Sequence, residues 1–189
     1  MIRTFIAIKI STEISFQNRI NTLKQSLRNE KIRWVDINSL HVTLRFLGDI
    51  PSTKTELISD CLEDAINEHK AFELVLEGVG VFRSIYRPRV IWLGLKETKK
   101  LATLKSSVDK LLERAGFDPE ENNFSPHLTI GRMKYIENRD NLEDILKENN
   151  HRFFTTEFVE QVLFFQSLLH PSGSEYKVLS SHKLIHHDL

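Results

Sequence analysis

The sequence predicts an α+β fold with two lobes around a shared cleft. Strand patterns and amphipathic helix patterns alternate along the 189 residues, and no low-complexity linker divides the chain. A four-residue pattern occurs twice, at residues 41–44 (HVTL) and 127–130 (HLTI), each near a similar order of elements. This repetition indicates an internal duplication with a pseudo-two-fold axis. We therefore expect residues 1–189 to form a single domain of two lobes.

Each predicted element has its own local signal. Strands show period-two alternation, so that Phe5, Ala7 and Lys9 share one face of the first strand. Helices show apolar residues three and four apart, with capping residues at their ends. In the first half, strands are predicted at 3–10, 32–35 and 40–46, and Gly48 ends the third. A first helix begins at Ser11 or Thr12, and its core-facing stripe is Ile14, Ile20, Leu23 and Leu27. A second helix runs from Pro51 to about residue 68, and its core-facing residues are Leu57, Cys61, Leu62 and Ile66. In the second half the predicted elements are paired strands at 72–82 and 89–95, a helix from Thr98 to Ala115 ended by Gly116, an acidic loop at 118–123, a strand at 128–133, a short helix at 141–146, a strand run at 153–166, and a hairpin in which residues 171–173 turn into 175–179.

Composition and charge narrow the class of protein. Lys and Arg together equal Asp and Glu at 26 each, which argues against a broad basic surface for long nucleic acid but permits a local anion site. The single cysteine, Cys61, excludes an internal disulfide and fits a reducing interior. Residues 1–10 are too short for a signal peptide, and no stretch approaches the ~20 apolar residues of a membrane span. We therefore expect a soluble, cytoplasmic protein without a membrane partner.

The repeated pattern predicts a cleft lined by two histidines and two threonines. Because side chains alternate on a strand, His41 and Thr43 share one face, and His127 and Thr129 do the same. Two imidazoles can supply an acid and a base near neutral pH, and each hydroxyl can donate to a phosphate oxygen. A phosphodiester fits this arrangement. The near-symmetry of the two motifs leaves open which histidine is the acid.

A basic residue follows each motif, and we expect both to contact phosphate. Strict alternation puts Arg45 on the face of His41 and points Phe46 into the core. It puts Arg132 opposite the second histidine, unless Gly131 breaks the alternation through a bulge. No carboxylate or cysteine stands at ligand spacing from either motif histidine, so we expect no metal and no cofactor.

With these motifs the sequence resembles the 2H phosphoesterases, and most closely the RNA 2′,3′-cyclic phosphodiesterases, historically called 2′-5′ RNA ligases. The resemblance covers nearly the whole chain. It rests on residues 3–8 (RTFIAI), 34–35 (WV), 42–48 (VTLRFLG), 78–82 (GVGVF), 87–94 (RPRVIWLG), 125–132 (SPHLTIGR) and 173–176 (GSEY). The sequence departs from the family at Gly131, where many relatives carry alanine.

The resemblance implies a bilobal fold, with antiparallel sheets around a central cleft, helices outside and no metal. It implies opening of a 2′,3′-cyclic phosphate at an RNA end to leave a 2′-phosphate. His41 is then the proton donor to the departing 3′ oxygen, and His127 is the base that activates water. The expected partners are RNA ends or oligonucleotides carrying the cyclic phosphate, bound by a monomer.

Two alternatives stay open at this point. The same site could act on small cyclic nucleotides or join 2′-5′ RNA ends. The chain could also be a non-catalytic module that binds RNA ends or nucleotides, although paired histidines favour an enzyme.

Overall fold

The computed structural model describes residues 1–120, 123–170 and 173–186. Short 3-10 turns at Ile37–Ser39 and Ser52–Lys54 precede a strand and a helix, respectively. The strands and helices of the described ranges are, in chain order, β1 (Ile2–Lys9), α1 (Ile14–Ser26), β2 (Lys31–Trp34), β3 (His41–Ile50), α2 (Thr55–Ile66), β4 (Phe72–Phe82), β5 (Val90–Lys96), α3 (Lys99–Arg114), β6 (Leu128–Tyr135), α4 (Arg139–Glu148), β7 (Phe153–Val159), β8 (Gln161–His170) and β9 (Gly173–Lys183).

The strands form two antiparallel half-sheets that meet at the repeated motifs. One half has the order β7-β4-β5-β6, and the other has the order β3-β1-β8-β9. Among the described residues, β3 and β6 are joined by the pair Val42 and Leu128, while β2 pairs with β6 further along its length. The second residue of each motif therefore lies at the seam, and the pattern of two related lobes is confirmed.

The helices pack on the outer face of this sheet. α1 contacts β7 and α4 contacts β4, whereas α2 and α3 pack on each other and contact β9 and β3, respectively. Residues three and four apart turn inward, as Leu101, Leu104, Val108 and Leu112 do in α3. No helix within the described ranges has both the length and the apolar character needed to cross a membrane.

The two faces of the sheet differ in what they bury. Val42 and Leu128 are fully buried in the large core beneath the helices. The opposite, inner face carries a smaller apolar cluster of Phe5, Ala7, Leu163 and Phe165, with Tyr176 packed against it. The motif residues that alternate with Val42 and Leu128 therefore face this inner side.

Several element predictions differ from the structure for identifiable reasons. The strand run 153–166 is two strands, because β7 pairs with β4 and β8 pairs with β1, so the chain changes half-sheet at Glu160. Gly48 does not end β3, which continues to Ile50. Two positions predicted to face inward are exposed, Ile14 and Leu57, and the neighbouring core positions belong to Phe16 and Ile58. Of the predicted hairpin turn, Pro171 and Ser172 lie outside the described residues, as do residues 121–122 of the acidic loop.

Candidate active site

The sheet register brings the two motifs together on the inner face. Directly opposite residues of an antiparallel pair point the same way, and Val42 opposite Leu128 points into the core. One step along each strand, His41, Thr43, His127 and Thr129 turn to the other side. The structure thus gathers all four predicted motif side chains at the seam between the half-sheets, around a central cleft.

Both motif strands carry a bulge at the fourth residue of the motif. On β3 the partners of Ala7 and Ile6 are Thr43 and Arg45, which leaves Leu44 as the extra residue. On β6 the partners of Trp92 and Ile91 are Thr129 and Gly131, which leaves Ile130 as the extra residue. Each bulge reverses the alternation that follows it. The first residue after each motif, Arg45 or Gly131, therefore turns to the core side of the sheet. The second residue after each motif, Phe46 or Arg132, turns towards the cleft.

The bulge at Leu44 corrects two predictions. Arg45 is only 4% exposed and lies on the core side, where its Nη1 is 2.7 Å from Asp109 Oδ1. Its guanidinium also donates to the carbonyl oxygen of Asp118. The prediction that Arg45 shares the face of His41 and contacts phosphate is wrong. The prediction that Phe46 points into the core is also wrong, because its side chain is 65% exposed.

The bulge at Ile130 has the opposite consequence for Arg132. The break in alternation expected at Gly131 is present one residue earlier, and it turns Arg132 to the side of the cleft, where it is exposed. Gly131 then faces the packed side of the sheet. A Cβ atom there would lie 2.8 Å from Ile32 Cγ2 and 3.0 Å from Ile91 Cγ2, so any side chain requires these neighbours to shift.

The two histidines are held in the same way. Nδ1 of His41 is 2.8 Å from the carbonyl oxygen of Ser39, and Nδ1 of His127 is 2.7 Å from that of Ser125. A carbonyl only accepts, so Nδ1 must carry the hydrogen in both rings. Each neutral imidazole therefore has its lone pair on Nε2. Nε2 is the atom left to exchange a proton with a substrate.

The surroundings of the two rings differ. His41 lies between aromatic rings, with centroid distances of 4.9 Å to Phe5 and 5.0 Å to Tyr176, whereas His127 has the Phe82 ring edge-on at 4.5 Å. Burial lowers the pKa of both histidines below the ordinary 6.5, and the bonds to Ser39 and Ser125 offset part of this. For His41 the nearby charged form of His127 lowers the pKa further. The two rings are thus close enough to interact electrostatically.

Some residues around the cleft were missed in the sequence. Lys9 is the β1 partner of His41 and shares its face. A signal for it existed, because Phe5, Ala7 and Lys9 were predicted to share one side of their strand. Phe82 and Tyr176 had no signal beyond their presence in segments that resemble the family. Their contacts with the histidines depend on how distant strands curl together.

The donor atoms around the cleft do not form a group typical of a metal centre. In the part of the chain that the structure describes, no three His, Cys, Asp or Glu side chains are placed to hold a metal ion. The positive charge near the motifs instead comes from Lys9 and Arg132.

Comparisons with known proteins find relatives over most of the chain. The sequence model of the 2′-5′ RNA ligase superfamily matches residues 12–158 of this chain. The RNA 2′,3′-cyclic phosphodiesterase of Thermotoga maritima is 33% identical over 177 residues, covering 94% of this chain and 92% of that protein. The corresponding protein of Archaeoglobus fulgidus is 32% identical over 180 residues, covering 94% and 97%.

Solved structures show the same fold. A crystal structure of a Thermus thermophilus protein superposes with a TM-score of 0.76 at 24% identity, covering 96% of this chain and 97% of that one. Escherichia coli LigT complexed with 3′-AMP superposes with a TM-score of 0.75 at 22% identity, covering 97% and 98%. Because the family model matches most of the chain and relatives above 30% identity span nearly all of it, the chain belongs to the 2′-5′ RNA ligase superfamily.

Proposed function

We propose that this protein is a metal-independent phosphodiesterase that opens 2′,3′-cyclic phosphates at RNA ends to leave a 2′-phosphomonoester. The observation that carries the proposal is the matched pair of imidazoles, each held through Nδ1 by a backbone carbonyl two residues earlier. An acid and a base fixed in this way on opposite half-sheets suit an in-line displacement at phosphorus. The relatives from Thermotoga and Archaeoglobus, both RNA 2′,3′-cyclic phosphodiesterases, support the substrate class.

The phosphate is bound between the motifs. The hydroxyls of Thr43 and Thr129 donate to its two non-bridging oxygens, and Arg132 supplies fixed positive charge. These contacts strengthen as negative charge builds on the oxygens in the transition state. Arg45 has no part in this contact, since its guanidinium is occupied by Asp109 on the other face of the sheet.

The proton movements follow from the roles of the two histidines. Neutral His127 takes a proton from water through Nε2 as the water oxygen bonds to phosphorus. The bond from phosphorus to the 3′ oxygen breaks, and protonated His41 donates its Nε2 proton to that oxygen. The products are a 2′-phosphate and a 3′-hydroxyl, and the net proton count is unchanged. Exchange with solvent returns His41 to its charged form and His127 to its neutral form.

This mechanism predicts an acidic optimum for kcat/KM. The active form needs His41 protonated and His127 neutral, so its population is greatest midway between the two pKa values. Burial lowers both pKa values below 6.5 in the free protein, so we expect the maximum of kcat/KM to lie below pH 6.5. A pH profile measured with a limiting concentration of an RNA ending in a cyclic phosphate checks this.

The pH profile of kcat should have its maximum at a higher pH than the profile of kcat/KM. A bound phosphate anion stabilises the charged imidazole of His41, which raises its pKa and moves the kcat maximum to a higher pH than that of kcat/KM. A kcat/KM that rises steadily from pH 6.5 to 9 would contradict the assigned roles, because no protonated histidine would then be required.

The function itself is tested by product analysis. The protein is incubated with an RNA that ends in a 2′,3′-cyclic phosphate, with and without EDTA, and the product is compared with authentic 2′- and 3′-phosphate standards. We expect the 2′-phosphate at the same rate in both samples. This result fixes the bond that breaks, which is the bond from phosphorus to the 3′ oxygen.

Each other outcome favours a different function. A 3′-phosphate product would mean that the 2′ oxygen leaves, which contradicts the proposed bond cleavage. Activity lost in EDTA and restored by a divalent ion would indicate a metal enzyme. Turnover of cyclic nucleotides but not RNA would favour a small-molecule phosphodiesterase, and joining of RNA ends would favour a ligase. Tight binding without turnover over hours would favour a binding module.

A further inference from the structure

A large cleft adjoins the catalytic centre on the side of His41. It has a volume of about 1050 Å³, and His41 and Arg132 are among the residues that line it. Other lining residues come from α1, from β2 and from the β8–β9 hairpin, Lys24, Arg33 and Tyr176 among them. We call this space the side cleft. Of the two motif histidines, His41 lines it and His127 does not, among the residues that the structure describes.

The side cleft is positively charged although the whole chain is neutral. Its wall residues include the cations Lys9, Lys24, Arg33 and Arg132, against the anions Asp36 and Glu175. Asp36 accepts a hydrogen bond from the backbone nitrogen of Asn38 and Glu175 is 3.2 Å from His170 Nε2, and these two anions are still outnumbered by the four cations. With 26 basic and 26 acidic residues in the chain, this is a local excess of positive charge. Such an excess attracts a polyanion.

One of these cations is held in place by an aromatic ring. Lys24 lies in the last turn of α1, and its Nζ is 5.8 Å from the centre of the Trp34 ring on β2. This contact places the ammonium group on the wall of the side cleft. Lys24 belongs to α1 and to neither motif, so we assign it to the cleft and not to the chemistry at phosphorus.

The direction of the reaction connects the side cleft to the substrate. In the proposed function, water enters from the side of His127 and the 3′ oxygen leaves towards His41. The 3′ oxygen belongs to the ribose, so the ribose lies towards His41, and the RNA on its 5′ side continues from there. The side cleft is the space that opens there.

We infer that the side cleft binds the RNA strand on the 5′ side of the cyclic phosphate, and that the protein therefore prefers oligonucleotides to mononucleotides. The inference rests on the proposed function. The volume of the side cleft, about 1050 Å³, lies just above the roughly 300 to 1,000 Å³ of clefts that enclose a drug-sized ligand, which leaves room beyond one nucleotide. Contacts are made mainly to the phosphates, so the binding tolerates different base sequences.

The first arm of the test uses the unmodified protein and a series of substrates of increasing length. Substrates are cytidine 2′,3′-cyclic phosphate and RNAs of two, three and six nucleotides ending in the same group, each at several KCl concentrations. We expect kcat/KM to rise with length and then level off once the cleft is filled. The slope of log kcat/KM against log salt should steepen by about 0.7 for each backbone phosphate bound. Equal kcat/KM values and equal slopes for all lengths would overturn the inference.

The second arm uses Lys24→Glu, with Lys110→Glu on the exposed side of α3 as the matched control. We expect Lys24→Glu to lower kcat/KM for the six-nucleotide RNA about fivefold or more. The same variant should change kcat/KM for the mononucleotide less than twofold, and the control should change neither. Parallel losses on both substrates would place Lys24 with the fold or the catalytic phosphate, and no loss would remove it from the strand path; either contradicts the inference.

The two proposals fail in different ways. If the proposed function is wrong, the unmodified protein opens none of the RNA substrates, whether or not it opens the mononucleotide. If only the side cleft has been misassigned, the unmodified protein opens both, without a dependence on length or a difference in salt slope.

Discussion

Replacing His41 or His127 by alanine is expected to lower kcat for cyclic phosphate opening by about 10²- to 10⁴-fold. Each imidazole carries one of the two proton transfers, and no other described side chain is held in the same way at the seam. Because the two act in one concerted step, the double variant should be little worse than the poorer single variant. Single-turnover measurements with an RNA ending in a cyclic phosphate report the chemical step directly.

The matched control for both variants is His151→Ala. His151 is 84% exposed and lies outside the side cleft and the motifs, so its removal should leave kcat unchanged. Thermal unfolding of all three variants separates a lost proton transfer from a lost fold. Full activity of either motif variant would refute the acid and base roles.

Replacing Arg45 by alanine is expected to lower the free energy of unfolding by about 3 kcal/mol. The change removes a buried guanidinium together with its bonds to the half-buried Asp109 carboxylate and to the carbonyl of Asp118. The loss is at the lower end for a broken buried pair because Lys105 still contacts Asp109. Urea unfolding checks the magnitude, and kcat of the folded protein should be unchanged.

The control for Arg45 is an ion pair at the surface. Lys147 and Glu143 are both exposed and lie one helical turn apart on α4, so Lys147→Ala should have a far smaller effect on unfolding than Arg45→Ala. A large fall in kcat for Arg45→Ala, with stability retained, would return this residue to the phosphate site.

The two bulges explain where the sequence predicted the site correctly and where it did not. Alternation holds within each motif, so the shared face of His41 and Thr43, and that of His127 and Thr129, followed from residue order alone. Beyond the fourth position it fails, since a bulge is a property of two paired strands and one strand cannot reveal it. The bulge at Leu44 turns Arg45 away from the site, and the bulge at Ile130 turns Arg132 towards it.

Other features depended on contacts between distant parts of the chain. Residues 153–166 form one continuous apolar pattern, and only the choice of pairing partners shows that β7 and β8 belong to different half-sheets. The side cleft depends likewise on how the β8–β9 hairpin approaches α1 and β2. A sequence contains the charges of Lys24 and Arg33, but their convergence with His41 is a result of the tertiary fold.

The seam has a mechanical consequence. In the part of the chain that the structure describes, β3 and β6 share the single register pair Val42–Leu128, so this pair joins the two half-sheets beside the site. Val42 follows His41 and Leu128 follows His127, so the two side chains of this pair lie beside both imidazoles, on the opposite face of the sheet. A change of side-chain volume at either core position is therefore expected to alter the spacing between acid and base, and with it the rate of the reaction.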